Sequence, residues 1–269
     1  MKIEDLKQIT DTTEQISALY EIFDEDQRLI SSKSAQVELL TSLHYIEQVL
    51  KPGMKILDLG AGTGVYSMYF AEKGYSVTAI ELAKRNYDVF QSKIKDFHDV
   101  TLYHGTALDL SVLKEQSFDI VLLFGPLYHL NSEAERTLCL SEALCVLKDN
   151  GTLFVSFINH DFIFVSESMR DSNYFSSGDY NHETLRLNNF PFTFLNINEC
   201  RKILEDNQIQ IEKEIASDGF SELIQLKINE MNDYSYQQYL KYHFSICEKK
   251  EFLSATNHFL FQGKKKKAI

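Results

Sequence analysis

The sequence predicts an α/β protein built on a mostly parallel sheet, and three observations predict this fold class. Short apolar runs alternate with helical patterns over residues 54–158, as expected of parallel strands joined by right-handed crossovers. The first run passes through closely spaced glycines into a helical pattern, and an acid ends the second run. Such units build Rossmann-like, doubly wound sheets with a nucleotide pocket. With a third strand at Val100–His104 and two further strands near residues 209–216 and 254–262, the sheet would have seven strands. Ser132 and Glu135 are expected to form a capping box at the start of the helix after the fourth strand, and Asn150-Gly151 is expected to end that helix.

A helical cap is expected ahead of the sheet. Apolar residues recur at helical spacing before residue 50, as in Leu39, Leu43 and Ile46. Pro52-Gly53 then marks the turn that begins the first strand. The chain is divided accordingly into a helical cap at residues 1–50, an α/β domain at residues 51–263 and a basic tail at residues 264–269.

The segment most informative about function is the turn after the first strand. The strand Ile56–Leu59 carries one acid, Asp58. Glycines follow at alternate positions: Gly60, Gly62 and Gly64. Glycine lets a ligand approach the main chain, and the helix start that follows offers N–H groups to a carboxylate or phosphate. The dinucleotide fingerprint G-x-G-x-x-G would need a third glycine where Val65 stands. This mismatch argues against a nicotinamide dinucleotide as the ligand but does not exclude it.

An acid at the end of the second strand supports a ribose in the same pocket. The β-branched run Ser76–Ile80 ends at Glu81, with Leu82 next to it. A carboxylate at this place can accept hydrogen bonds from both ribose hydroxyls. Proteins that bind nicotinamide dinucleotides share this feature, so Glu81 supports a nucleoside and leaves the choice of cofactor open.

The fourth strand and its tip complete a recognisable pattern. In Ser117–Phe124, Phe118-Asp119 precedes an apolar run. The segment Gly125-Pro126-Leu127-Tyr128-His129 follows. With Asp58 and the glycine turn, these residues resemble the class I S-adenosylmethionine-dependent methyltransferases. The Gly-Pro-Leu-Tyr-His segment is similar to that of a type 11-like bacterial subgroup. The resemblance covers roughly residues 20–262.

The resemblance implies S-adenosylmethionine as cofactor and a set of residues that bind it: Asp58, Gly60, Ala61, Gly62, Gly64, Glu81, Leu82, Thr106, Ala107, Leu108 and Phe124. Thr106 stands where the family often has an acid that contacts the adenine amino group, so this contact is expected from the backbone of Ala107 and Leu108. Arg28, from the helical cap, is a candidate partner for the cofactor carboxylate, and Tyr20 is a candidate lid residue.

The same resemblance directs attention to Tyr128 and His129 as candidate catalytic residues. His129 could accept a proton from the acceptor, or it could hydrogen-bond the backbone and shape the loop. Enzymes that methylate planar amino groups carry Asn/Asp-Pro-Pro-Tyr/Phe here, whereas this chain has Gly125 and Leu127. The expected reaction is therefore direct transfer of a methyl group to a small-molecule acceptor. A NAD(P)-dependent oxidoreductase and a non-catalytic S-adenosylmethionine-binding module stay open as alternatives.

Composition narrows the partners. The chain has 27 basic and 39 acidic residues and a formal charge of −12, which makes a nucleic-acid partner unlikely. The one basic run, Lys264–Lys267, is expected to be a solvated tail. No H-E-x-x-H or G-x-S-x-G pattern is present, and no metal site is predicted. Four cysteines without a C-x-x-C pair, a polar start and no long apolar stretch predict a cytoplasmic protein that is not in the membrane. The sequence does not predict the oligomeric state.

Two segments are expected to cover the substrate. Residues 159–195 are rich in Asn, Ser, Asp and aromatic residues and have no clean period, so they are expected to form an inserted lid segment. Residues 221–248 look helical and contain four tyrosines, and they are expected to be a second lid or substrate insertion.

Overall fold

The computed structural model describes residues 3–266, apart from the side chains of Glu4 and Asp96. Between short 3-10 turns, the described α-helices are α1 (Thr12–Tyr20), α2 (Gln36–Val49), α3 (Val65–Glu72), α4 (Lys84–Lys93), α5 (Pro126–His129), α6 (Glu133–Val146), α7 (His160–Arg170), α8 (Ile197–Asp206), α9 (Gln225–Glu230) and α10 (Asp233–Ile246). The strands are β1 (Lys55–Leu59), β2 (Ser76–Glu81), β3 (Val100–His104), β4 (Phe118–Leu123), β5 (Leu147–Asn159), β6 (Phe194–Leu195), β7 (Ile209–Ala216) and β8 (His258–Lys265).

The sheet has the predicted doubly wound form. Its strand order in the described chain is β3-β2-β1-β4-β5-β8-β7, and the two-residue β6 pairs with β5 outside this path. Pairing is parallel throughout except at β8, which runs antiparallel to both β5 and β7. The predicted seven-stranded, mostly parallel sheet is confirmed, with β6 as a short addition.

Helices bury both faces of the sheet. Along β4, Val121 and Leu123 belong to one apolar cluster, whereas Ile120 and Leu122 belong to another. This follows from the alternation of side chains along a strand, and it explains why the strand is an unbroken apolar run. The first cluster includes residues of α6 and α8, and the second includes residues of α2 and α3.

The end of the sheet differs from the prediction. The last strand was expected near residues 254–262, but it runs from His258 to Lys265. Lys264 pairs with Gln210 of β7, and its Nζ lies 2.7 Å from Oε1 of Glu212. The predicted solvated tail at 264–269 is therefore wrong for its first two residues, which are strand residues. Residues 267–269 lie outside the described chain.

The helix α6 begins as predicted but ends earlier than predicted. Ser132 and Glu135 form the predicted capping box, in which each side chain binds the other's backbone N–H. The helix was expected to continue to Asn150-Gly151, but it ends at Val146, because Leu147 already pairs with Phe118 in the sheet.

The segment 159–195 is more regular than its composition suggests. Its first part is the eleven-residue helix α7, whose N-cap Asn159 accepts a hydrogen bond from the N–H of Asp161. An isolated bridge between Tyr180 and Leu187 and the short β6 follow. Although the sequence has no clean helical period here, capping by Asn159 and burial of one helix face stabilise α7.

In the segment 221–248, α10 packs against α2 of the cap. Tyr236 and Leu240 form a buried cluster with Val37, and Thr41 Oγ1 lies 2.9 Å from His243 Nε2. Within the described residues, no helix is both long enough and apolar enough to cross a bilayer.

Candidate functional site

A cavity lies at the carboxyl ends of β1, β2 and β4, partly covered by the cap. Among the residues that line it are nearly all those predicted from the sequence: Tyr20, Arg28, Asp58, Gly60, Ala61, Gly62, Glu81, Leu82, Thr106, Ala107, Leu108, Phe124, Tyr128 and His129. This is the edge at which open α/β sheets bind ligands. Gly64 is absent from the lining. It caps α3 with φ +87°, and a Cβ there would lie 2.4 Å from the ring of Phe90. Gly64 therefore permits close packing of α3 and α4, and its role in cofactor binding stays a prediction.

The other two glycines keep the turn narrow. Gly60 has φ +69°, and a Cβ there would lie 2.8 Å from Cδ of Pro126. Gly62 has φ +57°, and a Cβ there would lie 3.2 Å from Cγ of Glu25. Both conformations are in the left-handed region that favours glycine. Side chains at these positions would be strained and would push against the cavity wall.

Two buried carboxyls stand at the ends of the central strands. Asp58 is 2% exposed and accepts a hydrogen bond of 2.7 Å from Ser67 Oγ. Glu81 is 4% exposed and accepts hydrogen bonds of 2.7 Å from the N–H groups of Gly62 and Ala83. Burial raises the pKa of Asp58 to about 6 and that of Glu81 to about 7, although these hydrogen bonds oppose the shift. Both groups are therefore close to their titration near neutral pH.

The environment of His129 does not suit the role of proton acceptor that the sequence suggested. It is 5% exposed, and its Nε2 lies 2.9 Å from the hydroxyl of Tyr20. Burial lowers its pKa to about 3, so the imidazole is neutral and weakly basic at neutral pH. Its contact with Tyr20 connects α1 to the tip of β4. Tyr128, the other predicted catalytic residue, donates its hydroxyl to the carbonyl of Phe124 at 2.6 Å.

Polar atoms in the lining are left without partners. Oγ1 of Thr63 and Nδ1 of His129 are buried and have no hydrogen-bond partner within residues 3–266. Both residues line the cavity. Both atoms are enclosed in the cavity wall, and they are buried polar groups of the kind that native proteins rarely leave unpaired.

Arg28 is held between two acids. Its Nε lies 2.9 Å from Glu25 Oε1, and its Nη1 lies 2.8 Å from Glu38 Oε2. The sequence suggested Arg28 as the partner of the cofactor carboxylate. The structure places it in the cavity wall, as predicted, but with its charge shared by two carboxylates.

A second cavity of about 880 Å³ adjoins the first. The two cavities share Tyr20, Glu25, Arg28 and Tyr128 as lining residues. Part of the rest of its wall comes from α7 and from the aromatic run at residues 190–194, so the segment 159–195 lines a cavity beside the site. From the other predicted insertion, 221–248, the described lining residues are Ser221, Glu222 and Gln225.

The second cavity contains residues that the sequence analysis missed. Glu38, Asp218 and His258 line it, and their donor atoms lie within 4.8 Å of one another. Carboxylate and imidazole donors this close could share a cation. Here His258 Nδ1 is hydrogen-bonded to Asp218 Oδ2 at 2.9 Å and lies 3.5 Å from Glu38 Oε2. The absence of a metal site stays a prediction. The positions of two of these residues relative to the strands could have indicated the site. Asp218 follows β7, and His258 begins the antiparallel β8. Both therefore stand at the sheet edge where β1 and β4 end.

Comparison with known proteins gives the family. Residues 57–155 match the family model described as a methyltransferase domain. The cypemycin N-terminal methyltransferase of a Streptomyces species is 33% identical over 104 residues, which are 38% of this chain and 41% of that protein. The demethylmenaquinone methyltransferase of Tropheryma whipplei is 33% identical over 118 residues, 44% of this chain and 47% of that protein. The chain thus spans about half the length of the curated relatives it matches.

The fold likeness extends over most of the chain. The 1,6-didemethyltoxoflavin-N1-methyltransferase of Burkholderia thailandensis, solved with 1,6-didemethyltoxoflavin and S-adenosylhomocysteine, superposes with a TM-score of 0.57 at 16% identity. The match covers 95% of this chain and 87% of that one. At this identity the likeness carries the fold alone. The family match over residues 57–155 identifies a methyltransferase domain in this chain. The fold is that of the class I S-adenosylmethionine-dependent methyltransferases, whose cofactor is S-adenosylmethionine. The predicted family is confirmed.

Proposed function

We propose that this chain transfers the methyl group of S-adenosylmethionine to a small molecule bound in the second cavity. The observation that carries the proposal is the shared wall between the two cavities, formed by Tyr20, Glu25, Arg28 and Tyr128. A donor in the first cavity and an acceptor in the second would meet at this wall. Alignment of the two reactants accounts for much of the catalysis expected of such an enzyme.

The first cavity suits each part of the cofactor. Glu81 is positioned to accept hydrogen bonds from the ribose hydroxyls, and the backbone of Thr106–Leu108 borders the place of the base. Asp58 and the carbonyl of Gly60 suit the ammonium group, and Arg28 remains the candidate for the carboxylate. When bound, S-adenosylmethionine supplies a methyl group on a sulfonium, whose leaving group is already activated. The protein then has to orient the acceptor and exclude water.

The second cavity suggests the character of the acceptor. Aromatic and aliphatic side chains share its lining with six carboxylates and four basic groups from the described residues. Arg28 and Arg170 are each paired with two of these carboxylates. A neutral or cationic small molecule with an apolar body fits this wall better than an anion does. The net charge of −12 also disfavours a polyanionic acceptor.

The test is a screen for S-adenosylhomocysteine formation with benzylamine, catechol and thiophenol as probes of amine, hydroxyl and thiol acceptors. Turnover with any of them, dependent on the acceptor, supports the proposal. Tight binding of S-adenosylmethionine without product across a widened panel would favour the non-catalytic module. Fluorescence enhancement of NADH on titration with the protein, without S-adenosylmethionine binding, would favour the oxidoreductase.

A further inference from the structure

An Asp–His pair stands in the wall of the second cavity, outside the cofactor site. Nδ1 of His258 lies 2.9 Å from Oδ2 of Asp218. Both residues line the cavity, and the ring of His258 lies 6.5 Å from that of Tyr128, centroid to centroid. Because Tyr128 also lines the first cavity, the pair is close to the boundary at which donor and acceptor would meet.

Asp218 is itself held in place. Its Oδ1 accepts hydrogen bonds from the N–H of Asn257 at 2.8 Å and from the hydroxyl of Thr256. Asp218 is 7% exposed. The carboxylate is thus fixed by the turn that precedes β8, which leaves Oδ2 to orient the imidazole. This is the arrangement in which a buried acid selects the tautomer of a catalytic histidine.

The other ring nitrogen is available. Since Asp218 accepts from Nδ1, the neutral imidazole carries its proton there, and Nε2 has a free lone pair. Nε2 forms no hydrogen bond with a described residue. It is also not one of the buried, unpaired polar atoms of the described residues, so it is not enclosed by the protein. It is therefore open to the cavity that His258 lines. His129 differs in each respect, since its Nε2 is taken by Tyr20 and the residue is buried.

The surrounding charges favour protonation of His258. Burial by itself would lower the pKa of His258, but the carboxylates of Glu38 and Asp218 outweigh it and hold the pKa above its ordinary value, against the opposing charge of Arg28. Glu222 is a further carboxyl that faces this group. An imidazole whose pKa is raised is a stronger proton acceptor than a free imidazole.

We infer that His258, positioned by Asp218, is the general base that takes a proton from a hydroxyl, amine or thiol acceptor in the second cavity. The inference rests on the proposed methyl transfer. The bond from hydrogen to the acceptor atom breaks, and the proton goes to Nε2 of His258, giving an imidazolium stabilised by Asp218. The lone pair left on the acceptor atom forms the new bond to the methyl carbon, and the sulfur keeps the electron pair of the broken S–C bond. The acceptor class is therefore one with a removable proton on its reacting atom.

The variant that tests this is His258→Asn, because the Asn amide can still donate to Asp218 but offers nothing in place of Nε2. With the acceptor that turns over in the probe panel, kcat should fall about 10²- to 10⁴-fold, with unchanged affinity for S-adenosylmethionine. The rise of kcat with pH through the pKa of His258 should also disappear. His98→Asn is the matched control, because His98 is exposed and lies just before β3, at the opposite edge of the sheet. It should behave as the unaltered chain.

A second measurement needs no turnover. Nitrogen-15 spectra of the ligand-free protein should show neutral His258 with its proton on Nδ1 and a pKa above the ordinary value. Neutral His258 protonated on Nε2, or turnover that survives His258→Asn, would overturn the inference and leave the proposed function intact. If the unaltered chain turns over no acceptor, the proposed function fails, and the inference falls with it.

Discussion

Glu81 is the side chain on which we expect nucleoside binding to depend most. It is buried at the end of β2, and its two oxygens already organise the glycine turn and the start of the next loop. Glu81→Gln replaces one acceptor oxygen by a donor and removes the charge. Since hydrogen bonds to a charged group contribute about 1.5–3 kcal/mol, the Kd for S-adenosylmethionine should rise roughly 10- to 100-fold.

Calorimetric titration measures this effect. Glu72→Gln is the control, because Glu72 is an exposed residue at the end of α3. An unchanged Kd in Glu81→Gln would remove Glu81 from the cofactor site, even if the chain binds the cofactor.

The raised pKa values of Asp58 and Glu81, to about 6 and about 7, predict a pH dependence of cofactor binding. Both lie above the ordinary carboxyl values, so both groups take up protons in the free protein as the pH falls from 8 to 5. The ammonium and ribose of the cofactor favour the ionised carboxylates, so binding must release these protons. The Kd should be flat above pH 8 and rise by up to about tenfold per pH unit for each linked proton below the pKa.

Calorimetry at several pH values, in buffers of different ionisation enthalpy, measures both the Kd and the proton release. A Kd that stays constant between pH 8 and pH 5 would contradict the assigned protonation states.

The residues proposed for the cofactor site could be identified from the sequence because they are close together along the chain. Asp58, the glycine turn and Glu81 lie in two consecutive strand–turn–helix units, where spacing along the chain fixes position in space. The base proposed for the acceptor was not accessible in this way. Asp218 and His258 come together through pairing of β7 and β8, and the burial that makes His129 a weak base depends on the cap.

At the scale of elements, α1 closes the cofactor cavity and is held there by α4. Nη1 of Arg85 donates to the carbonyls of Tyr20 and Glu21 at 3.1 and 3.0 Å. These carbonyls are at the carboxyl end of α1, where a helix lacks internal partners. Tyr20, in turn, contacts His129. Arg85 is thus expected to stabilise the closed position of the helix.

Arg85→Ala should loosen α1 without unfolding the sheet. We expect faster amide hydrogen exchange in residues 12–20 and a Kd for S-adenosylmethionine raised about 3- to 10-fold, as expected for the loss of about one net hydrogen bond. Lys84→Ala is the matched neighbour, because Lys84 is exposed and pairs with Asp88 of its own helix. Equal exchange in α1 of the two variants would show that Arg85 does not hold the helix.

Elements with strong local signals were predicted well, and those set by tertiary contacts were not. The strands β1 to β4 and the capping box of α6 agree with the sequence, because apolar runs and capping residues are local. The helix α7 was missed because its burial depends on contacts with distant residues. The end of β8 was missed because Lys264 and Lys265 look solvated in sequence but pair with β7.

At the scale of the whole molecule, the cofactor should stabilise the fold, because its cavity draws on the cap and on three strands of the central sheet. A ligand at 100 times its Kd stabilises the folded state by about 2.7 kcal/mol. For a chain of this size, this corresponds to a rise in Tm of roughly 5–10 °C. Differential scanning fluorimetry with S-adenosylmethionine, and with NADH as the comparison, measures it. A rise in Tm with NADH but not with S-adenosylmethionine would contradict S-adenosylmethionine as the cofactor. It would favour the oxidoreductase alternative.

The measurement that tests the central claim most directly is a calorimetric titration of S-adenosylmethionine into matched glycine variants. Gly62 has φ +57° and faces Glu25, whereas a Cβ at the exposed Gly178 would meet nothing within 4 Å. The unaltered chain and Gly178→Val should bind one equivalent with the same Kd, and Gly62→Val should show no binding. Binding by Gly62→Val with an unchanged Kd, or no binding by the unaltered chain, would contradict the placement of the methyl donor at this turn.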